Sequence, residues 1–362
     1  MRAARRAGLG ALIAERGMDA MLVSALPNIR YLTGFSGSNA LLLVTADGAT
    51  LLTDFRYATQ VKTEVDPEVE VLIAPASLWT ELWRVLGSRT QVGRIAFETA
   101  HLLHQEAQRF LATGAEGARW HWEPVVDLVE GLRESKDAGE VAEIRAAIAI
   151  AERALNATLP KVRVGMTELA VAGELERALR AAGSEGFPFE TIVASGPRSA
   201  LPHARASTRV IERGELLLID FGAIHHGYCA DITRTFVVGT SPSDRQREIH
   251  ALVRESNGSA SALVRQGMRG RDADALARDY IERAGFGEAF GHSLGHGIGL
   301  EVHEAPRLAK TAEAPLPLGA VVTIEPGVYL EGWGGVRIED DVLLGPEGPV
   351  VLTSFPRDLV QL

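Results

Sequence analysis

The chain has 362 residues, of which 46% are hydrophobic and 23% are charged, and its formal net charge is −10. This length predicts two domains, and the composition is ordinary for a globular protein. The negative charge argues against nucleic acid or an anionic membrane as a partner, and no apolar run is long enough to span a bilayer. The single cysteine, Cys229, excludes an intrachain disulfide and is compatible with the cytoplasm, where we expect the protein to reside.

The first third of the chain alternates short apolar runs with amphipathic segments. The pattern predicts strands over 20–24, 40–45, 50–53, 69–73 and 94–97, and helices over 9–16, 58–64, 78–86 and 101–111. Asp47-Gly48 lies between two apolar runs and predicts a hairpin turn. A charged segment near residue 130, followed by a long helical pattern, predicts the boundary between a small α/β domain (1–130) and a second domain (131–362).

The second domain contains a faint internal repeat. The matched positions are Gly214 with Gly319, Asp220 with Glu325, and Gly222 with Gly327. Asp231 and Glu339 form a further acidic pair at a slightly different spacing. A duplicated helix–helix–hairpin unit predicts an α+β fold that brings four carboxylates around a pseudo-twofold axis. A chance match of glycine- and leucine-rich segments is the alternative.

The repeated acids lie where buried strands are expected to end. Asp220 follows the apolar run Leu216–Ile219, and a buried carboxylate is costly unless it is paired or metal-bound. A glycine-rich segment that reads as a loop supplies three histidines, His292, His296 and His303. Four carboxylates and an imidazole suit hard or borderline divalent cations, and two such ions cancel four negative charges. The sequence therefore predicts a dinuclear site for metal-assisted hydrolysis of an acyl bond.

These residues resemble the signature of the pita-bread metallopeptidases. The five expected metal ligands are Asp220, Asp231, His296, Glu325 and Glu339. The segment from His292 to Glu304 is similar to that of Xaa-Pro dipeptidases and aminopeptidases P. The resemblance implies two divalent ions per subunit, most often Mn²⁺ with Co²⁺ or Zn²⁺ as alternatives, a homodimer, and peptides with proline in second position as substrates.

The same resemblance implies roles for individual side chains. Glu325 would act as general base for a metal-bridging hydroxide, and His303 would stabilise the oxyanion. His203 would line the site where proline binds. Arg337 shares a strand face with Glu339 and would act as a catalytic or substrate-binding group, a counter-charge for the acids, or both. His292 would contact substrate or serve only as a loop hydrogen-bonder.

The N-terminal domain guides the choice of subclass. Asp54-Phe-Arg56-Tyr57 resembles a motif of small bacterial aminopeptidases P, so Asp54, Arg56 and Tyr57 are candidate substrate-binding residues; an ion pair at a strand end is the alternative. We therefore expect an Xaa-Pro aminopeptidase, with Xaa-Pro dipeptidase (prolidase) as the alternative. Two alternatives from other functional classes are disfavoured. A non-catalytic pita-bread interaction protein would lack metal ligands, and none is lost here. A dinucleotide oxidoreductase would need a glycine-rich loop between a strand and a helix, and residues 291–299 do not have that context.

Three further groups of residues near the acids receive structural interpretations. Cys229 is expected to be a small buried residue rather than a nucleophile. His225 and His226 are expected at an exposed hairpin tip, and Asp340 and Asp341 in a solvated turn.

Overall fold

The computed structural model describes residues 1–362, which form two compact units, Met1–Arg133 and Glu134–Leu362. None of its helices combines the length and the apolarity that a membrane-spanning segment requires.

The N-terminal unit is a mixed six-stranded sheet with helices. Its strands are β1 (Ala20–Val23), β2 (Ala40–Thr45), β3 (Gly48–Asp54), β4 (Glu70–Ala74), β5 (Arg94–Glu98) and β6 (His121–Val125), in the sheet order β4-β3-β2-β1-β5-β6. Its helices are α1 (Arg2–Glu15), α2 (Leu26–Thr33), α3 (Val61–Glu64), α4 (Leu78–Ser88), α5 (His104–Leu111) and α6 (Leu128–Arg133), with 3₁₀ turns at Phe55–Tyr57 and Glu116–Arg119. One core of this unit packs α4 and α5 against the sheet through buried tryptophan and phenylalanine rings.

The strands predicted here are confirmed, with ends shifted by one or two residues, and the Asp47-Gly48 turn joins β2 to β3. The predicted helices are present too, although α1 begins earlier than expected, at Arg2. Three elements were missed, namely α2, β6 and the short helix α6. The start of α2 is fixed by the buried Glu98, which accepts hydrogen bonds from the amides of Ser24 (2.6 Å) and Ala25 (2.8 Å), a tertiary contact that local pattern does not reveal. Strand β6 contains Pro124, which is tolerated because β6 lies at the sheet edge.

The second unit contains four long helices and two main sheets. The helices are α7 (Ala138–Thr158), α8 (Glu168–Ala181), α9 (Asp244–Leu263) and α10 (Gly270–Arg283), with 3₁₀ turns at Leu159–Lys161, Gly196–Ala200 and Gly287–Ala289. The strands are β7 (Ile192–Ser195), β8 (Leu216–Phe221), β9 (Ile224–His225), β10 (Tyr228–Cys229), β11 (Ile232–Val237), β12 (Gly295–Gly297), β13 (Glu304–Leu308), β14 (Val321–Ile324), β15 (Gly327–Leu330), β16 (Gly334–Arg337), β17 (Asp340–Gly345) and β18 (Gly348–Val351).

Each half of this unit places a helix pair on a sheet. In the first half, α7 and α8 bury apolar residues against a sheet of order β11-β8-β7. In the second half, α9 and α10 do the same against a sheet of order β13-β12-β14-β17-β18. The short hairpins β9–β10 and β15–β16 connect the strands that carry the predicted acids.

The internal repeat is visible in the backbone. Thr167, before α8, forms a bridge to Val210, and Arg269, before α10, forms the equivalent bridge to Pro315. The matched glycines adopt the same left-handed conformation, with φ of 85° at Gly214 and 82° at Gly319. A side chain would be strained at both positions, which explains why glycine recurs there. The predicted duplicated architecture is therefore confirmed.

One interpretation from the sequence is wrong. Asp340 and Asp341 are fully buried in β17 rather than solvated in a turn. Asp340 forms ion pairs with Arg234 (2.8 Å) and Arg357 (2.7 Å), and Asp341 Oδ2 accepts a hydrogen bond from the Asp231 amide (3.3 Å). Partners that are distant in the chain make this burial tolerable, and adjacent residues give no sign of them.

Candidate metal centre

The first half contributes two acids at one end of its sheet. Strands β8 and β11 pair antiparallel, with Asp220 opposite Thr233, and every residue of both strands is buried. Asp231 immediately precedes β11 and lies on the same end of the sheet. The exposed fractions are only 8% for Asp220 and 5% for Asp231, so neither carboxylate is solvated as a surface acid would be.

The second half contributes two more acids at the ends of its strands. Glu325 directly follows β14, and its amide donates to the Leu294 carbonyl (2.9 Å). Glu339 lies between β16 and β17, and its amide donates to the Thr233 carbonyl of the first half (3.1 Å). This last bond joins the two halves at the acids themselves.

His296 lies on β12 and faces these acids. Its Nε2 is 3.4 Å from Glu325 Oε1 and 3.8 Å from Asp231 Oδ2. Its Nδ1 lies 3.1 Å from the Gly297 carbonyl, which can only accept, so Nδ1 carries the proton and Nε2 presents its lone pair. Burial lowers the pKa of His296 to about 4, which keeps the ring neutral as a metal ligand must be.

The donor set fits divalent cations. Oxygen and nitrogen atoms of Asp231, His296 and Glu339 lie within 4.8 Å of one another. The Oδ1 atoms of Asp220 and Asp231 are buried without a hydrogen-bond partner, which is costly unless a cation supplies one. Burial, and then the other carboxylates, raise the pKa of Asp231 and of Glu339 well above their usual range. A bound cation would allow these groups to ionise.

Arg337 ties the acids together from the end of β16. Its Nη2 donates to Asp220 Oδ2 (2.5 Å) and its Nε to Thr233 Oγ1 (3.1 Å), while Nη1 donates to the hydroxyl of Tyr329 (2.7 Å) and the carbonyl of Pro202 (3.2 Å). Thr233 Oγ1 in turn donates to Glu339 Oε2 (2.6 Å). The guanidinium therefore holds Asp220 and Glu339 in place and adds one buried positive charge to the site.

Three more histidines gather near the acids. The His303 ring lies edge-on to His296, with 4.4 Å between ring centroids. Burial, followed by the charge of His203, lowers the pKa of His303, and both side chains are exposed. His292 Nε2 lies 2.9 Å from the Tyr329 hydroxyl and its Nδ1 2.8 Å from the Ser293 carbonyl. The structure thus brings His203, His292 and His303 to one region beside His296.

The three candidates of the N-terminal unit bind one another or their neighbours. Asp54 accepts two hydrogen bonds from the Arg56 side chain, both 2.8 Å, and a third from Asn39 (2.6 Å). The Tyr57 hydroxyl lies 2.6 Å from Ser38 Oγ. The ion pair that the sequence offered as the alternative for Asp54 and Arg56 is therefore present.

Comparison with known proteins identifies the family. The model of metallopeptidase family M24 matches residues 142–346, and that of the creatinase/prolidase N-terminal domain matches residues 5–135. The chain belongs to metallopeptidase family M24.

Several relatives align along nearly the whole chain. An uncharacterized peptidase of Bacillus subtilis is 40% identical over 97% of this chain and 98% of its own, and an Xaa-Pro dipeptidase of Pyrococcus horikoshii is 36% identical over 96% and 95%. Among solved structures, an Xaa-Pro dipeptidase from Bacillus anthracis superposes with a TM-score of 0.94 at 38% identity, covering 100% of both chains. An X-Pro aminopeptidase from Thermotoga maritima superposes with a TM-score of 0.89 at 40% identity, covering 99% of both. The predicted pita-bread architecture of this M24 metallopeptidase is confirmed.

Sequence reasoning missed two side chains of the M24 centre. Tyr329 bridges His292 and Arg337, and its position two and four residues after Gly327 and Glu325 on an alternating strand was the available signal. Arg307, exposed on β13, lies directly opposite His296; burial is the main cause of the lowered pKa of His296 and of His303, and the charge of Arg307 adds a smaller contribution to both. The β12–β13 pairing that brings Arg307 to the site contains a register shift, which the sequence does not show.

A buried acid anchors the histidine-bearing loop of each half. In the M24 second half, Asp274 Oδ1 accepts from the Leu294 amide (3.0 Å) and pairs with Arg278, which donates to the carbonyls of Phe290 and His292. In the first half, the fully buried Glu168 accepts from the amides of Ser195 (2.8 Å) and Ser207 (3.1 Å), which flank His203. These hydrogen bonds fix the positions of the chain segments that carry His296 and His203.

Proposed function

We propose that this chain is a divalent-metal-dependent exopeptidase that cleaves the peptide bond before proline, and that it acts as an Xaa-Pro aminopeptidase. The observation that carries the proposal is the convergence of four carboxylates and the Nε2 of His296 at the junction of the two halves. The Xaa-Pro specificity rests on the M24 relatives of known structure, which are named as Xaa-Pro peptidases.

The proposed ligands of two divalent ions are Asp220, Asp231, His296, Glu325 and Glu339. Bound divalent cations supply Lewis acidity that polarises a peptide carbonyl and makes water a stronger acid at neutral pH. Mn²⁺ is the proposed metal because oxygen donors predominate, with Co²⁺ or Zn²⁺ as alternatives. The resemblance to the family further supports a cytoplasmic homodimer.

Glu325 is the proposed proton carrier. Thr323 Oγ1 donates to Glu325 Oε1 (3.2 Å), and burial raises the pKa of Glu325 to about 8. A bound cation would lower that pKa again, so that Glu325 would be ionised and able to take a proton from the attacking water and return it to the proline nitrogen as the C–N bond breaks. Hydrolysis then forms one bond, from the water oxygen to the carbonyl carbon, and breaks one bond, from that carbon to the proline nitrogen, which leaves as a free amine.

The neighbouring side chains position substrate and charge. His303, which is exposed beside His296, is proposed to donate to the carbonyl oxygen as negative charge develops on it. His203 is proposed to line the proline side chain's site, and His292 to orient Tyr329 and through it Arg337. Arg337 acts chiefly on Asp220, since most of its N–H groups are already used inside the protein. For Asp54, Arg56 and Tyr57, a role at the substrate end remains a proposal from the motif alone.

Two observations bear on the length of the peptide. An aminopeptidase does not need a cation to bind a free carboxylate after proline, because its substrate continues beyond proline. The buried cation of the centre, Arg337, is consistent with this class because its N–H groups already donate to protein acceptors. A dipeptidase is the second candidate because Arg307 is exposed opposite His296, where it could pair with a substrate carboxylate, and because several relatives are named Xaa-Pro dipeptidases.

The deciding experiment compares kcat/KM for an Xaa-Pro dipeptide and the matching Xaa-Pro-Xaa tripeptide with Mn²⁺-loaded protein, in the wild type and in Arg307→Ala. An aminopeptidase prefers the tripeptide and tolerates the substitution. A preference for the dipeptide that collapses in Arg307→Ala assigns the dipeptidase instead. Hydrolysis of neither peptide, or hydrolysis that survives complete removal of metal, contradicts the proposed function.

A further inference from the structure

A second cluster of potential metal ligands lies outside the centre, at the tip of the β9–β10 hairpin. His225 and His226 both turn their Nδ1 atoms to Glu143 Oε2 on α7, at 2.8 and 3.1 Å. One donor atom from each of the three residues lies within 4.8 Å of the other two. Ligand atoms around a tetrahedral cation with bonds of about 2.0 Å are about 3.3 Å apart, so these spacings are close to those of a coordination sphere.

The backbone, rather than the rings, fixes this arrangement. His226 has φ of 43°, in the left-handed region that a residue with a side chain seldom adopts. Its amide donates to Glu185 Oε1 (2.9 Å), and the next amide, of Gly227, donates to Glu185 Oε2 (3.0 Å). As a result the two imidazoles lie side by side, with ring centroids 4.2 Å apart. The tip is held in a conformation that presents two nitrogen donors to one carboxylate.

The surroundings suit a cation that can enter from solvent. Two carboxylates, those of Glu143 and Glu185, lie against the tip. The His226 side chain is 67% exposed and that of His225 30%, so His225 is half-buried rather than exposed as the sequence suggested. An accessible site of this kind can complete its coordination with water.

We propose that Glu143, His225 and His226 bind one borderline divalent cation, with Zn²⁺ the best match, separately from the catalytic centre. Imidazole nitrogen favours Zn²⁺, Ni²⁺ and Cu²⁺, whereas a site dominated by carboxylates suits harder ions. The two sites therefore differ in the metal that each prefers. This proposal does not depend on the peptidase activity.

Occupancy of the tip has a consequence for the catalytic half to which it belongs. The hairpin is the only connection between β8, which carries Asp220, and Asp231 before β11. A cation shared by Glu143 and the two histidines ties that connection to α7. Binding should therefore stabilise the hairpin and raise the melting temperature of the folded chain.

The test measures Zn²⁺ binding to full-length, Mn²⁺-loaded protein by equilibrium dialysis and by isothermal titration, with melting temperature as a second readout. The variants are Glu143→Gln and His226→Asn, since asparagine tolerates the left-handed conformation. The matched control is His121→Asn, because exposed His121 also contacts a single glutamate, Glu123, at 2.8 Å but has no second histidine. Any Zn²⁺ that exchanges into the catalytic centre is common to all four proteins, so the difference between them isolates the tip.

The wild type and the control are expected to bind one more Zn²⁺ than either variant, or to bind it more than tenfold more tightly. Loss of an outer-shell partner alone typically costs about 10–100-fold in affinity, and a direct ligand should cost more. The Zn²⁺-dependent rise in melting temperature should shrink in both variants, while Mn²⁺-supported activity shows that they are folded. Equal Zn²⁺ stoichiometry and affinity in all four proteins would overturn the proposal.

Discussion

The two halves of the catalytic unit share a plan but contribute unequally to the site. Each half sets a helix pair on a sheet, repeats a left-handed glycine, ends a buried strand near an acid, and anchors a loop through a second buried acid. The second half alone adds His296, Arg337 and Tyr329, whereas the first adds two acids and His203. Duplication therefore explains the scaffold and the four carboxylates, while the proposed proton transfer and the imidazole ligand belong to the second copy alone.

The largest expected effect comes from two single substitutions, each of which replaces one acidic ligand in one half. We expect Asp231→Asn and Glu339→Gln to lower kcat/KM by about 10³-fold or more, which corresponds to about 4 kcal/mol of transition-state stabilisation. Both should also lose bound Mn²⁺, measured by metal analysis after dialysis. Glu331→Gln, which alters an exposed acid on the nearby β15–β16 turn, is the control. Full activity in Asp231→Asn would contradict the assignment of Asp231 as a metal ligand.

Effects of intermediate size should distinguish the roles of the two anchoring acids, Asp274 and Glu168. Asp274→Asn frees the loop before His296, so we expect Mn²⁺ affinity to fall about 10–100-fold, as is usual when an outer partner of a ligand is lost. Glu168→Gln frees the segment that carries His203, so KM for the peptide should rise while Mn²⁺ affinity stays unchanged. Mn²⁺ titrations and Michaelis curves on the same preparations check both results. The reverse pattern would contradict the assignment of ligands to the second half and substrate contact to the first.

The effect that should change peptidase activity least concerns the pH dependence of stability. His250 on α9 is buried, and burial, followed by the charge of Arg254, lowers its pKa to about 4. In the unfolded chain its pKa is about 6.5, so the unfolded state takes up a proton that the folded state resists as pH falls from 6.5 towards 4. The free energy of unfolding therefore falls as the pH drops from 6.5 to 4, by about 3 kcal/mol at pH 4.

Urea unfolding of the wild type and of His250→Gln at pH 7 and pH 5 measures this contribution. The wild type should lose more unfolding free energy than the variant on acidification, because only the wild type carries the titrating ring. Equal losses in the two proteins would show that His250 does not destabilise the second half in acid.

Much of this arrangement was predictable because it is written in local patterns. Apolar runs that end on acids predicted where Asp220 and Glu325 lie, and matched glycines predicted the duplicated scaffold. What could not be predicted depends on contacts between residues far apart in the chain. The buried pairing of Asp340 with Arg234 is one such case, and the Asp274–Arg278 support of the His292 loop is another.

The charge count of the centre is a third case. When only the ligands are counted, four carboxylates require two divalent cations for neutrality. Arg337, buried and bonded to Asp220, lowers the deficit to three negative charges. The sequence indicated that Arg337 lies on a strand. It did not indicate that the side chain points towards Asp220, because that depends on the packing of β16 against β8.

The hydrogen bonds that cross between the halves also bear on the order of folding. Asp220 is held by Arg337, the Asp231 amide by Asp341, and Glu339 by Thr233, so each of these acids has its partner in the other copy. Contacts between residues this distant in sequence form slowly, after local helices and hairpins. A folding intermediate with only one copy in place would thus present unsupported acids, and we expect tight binding of the catalytic cations to appear only in the last step of folding.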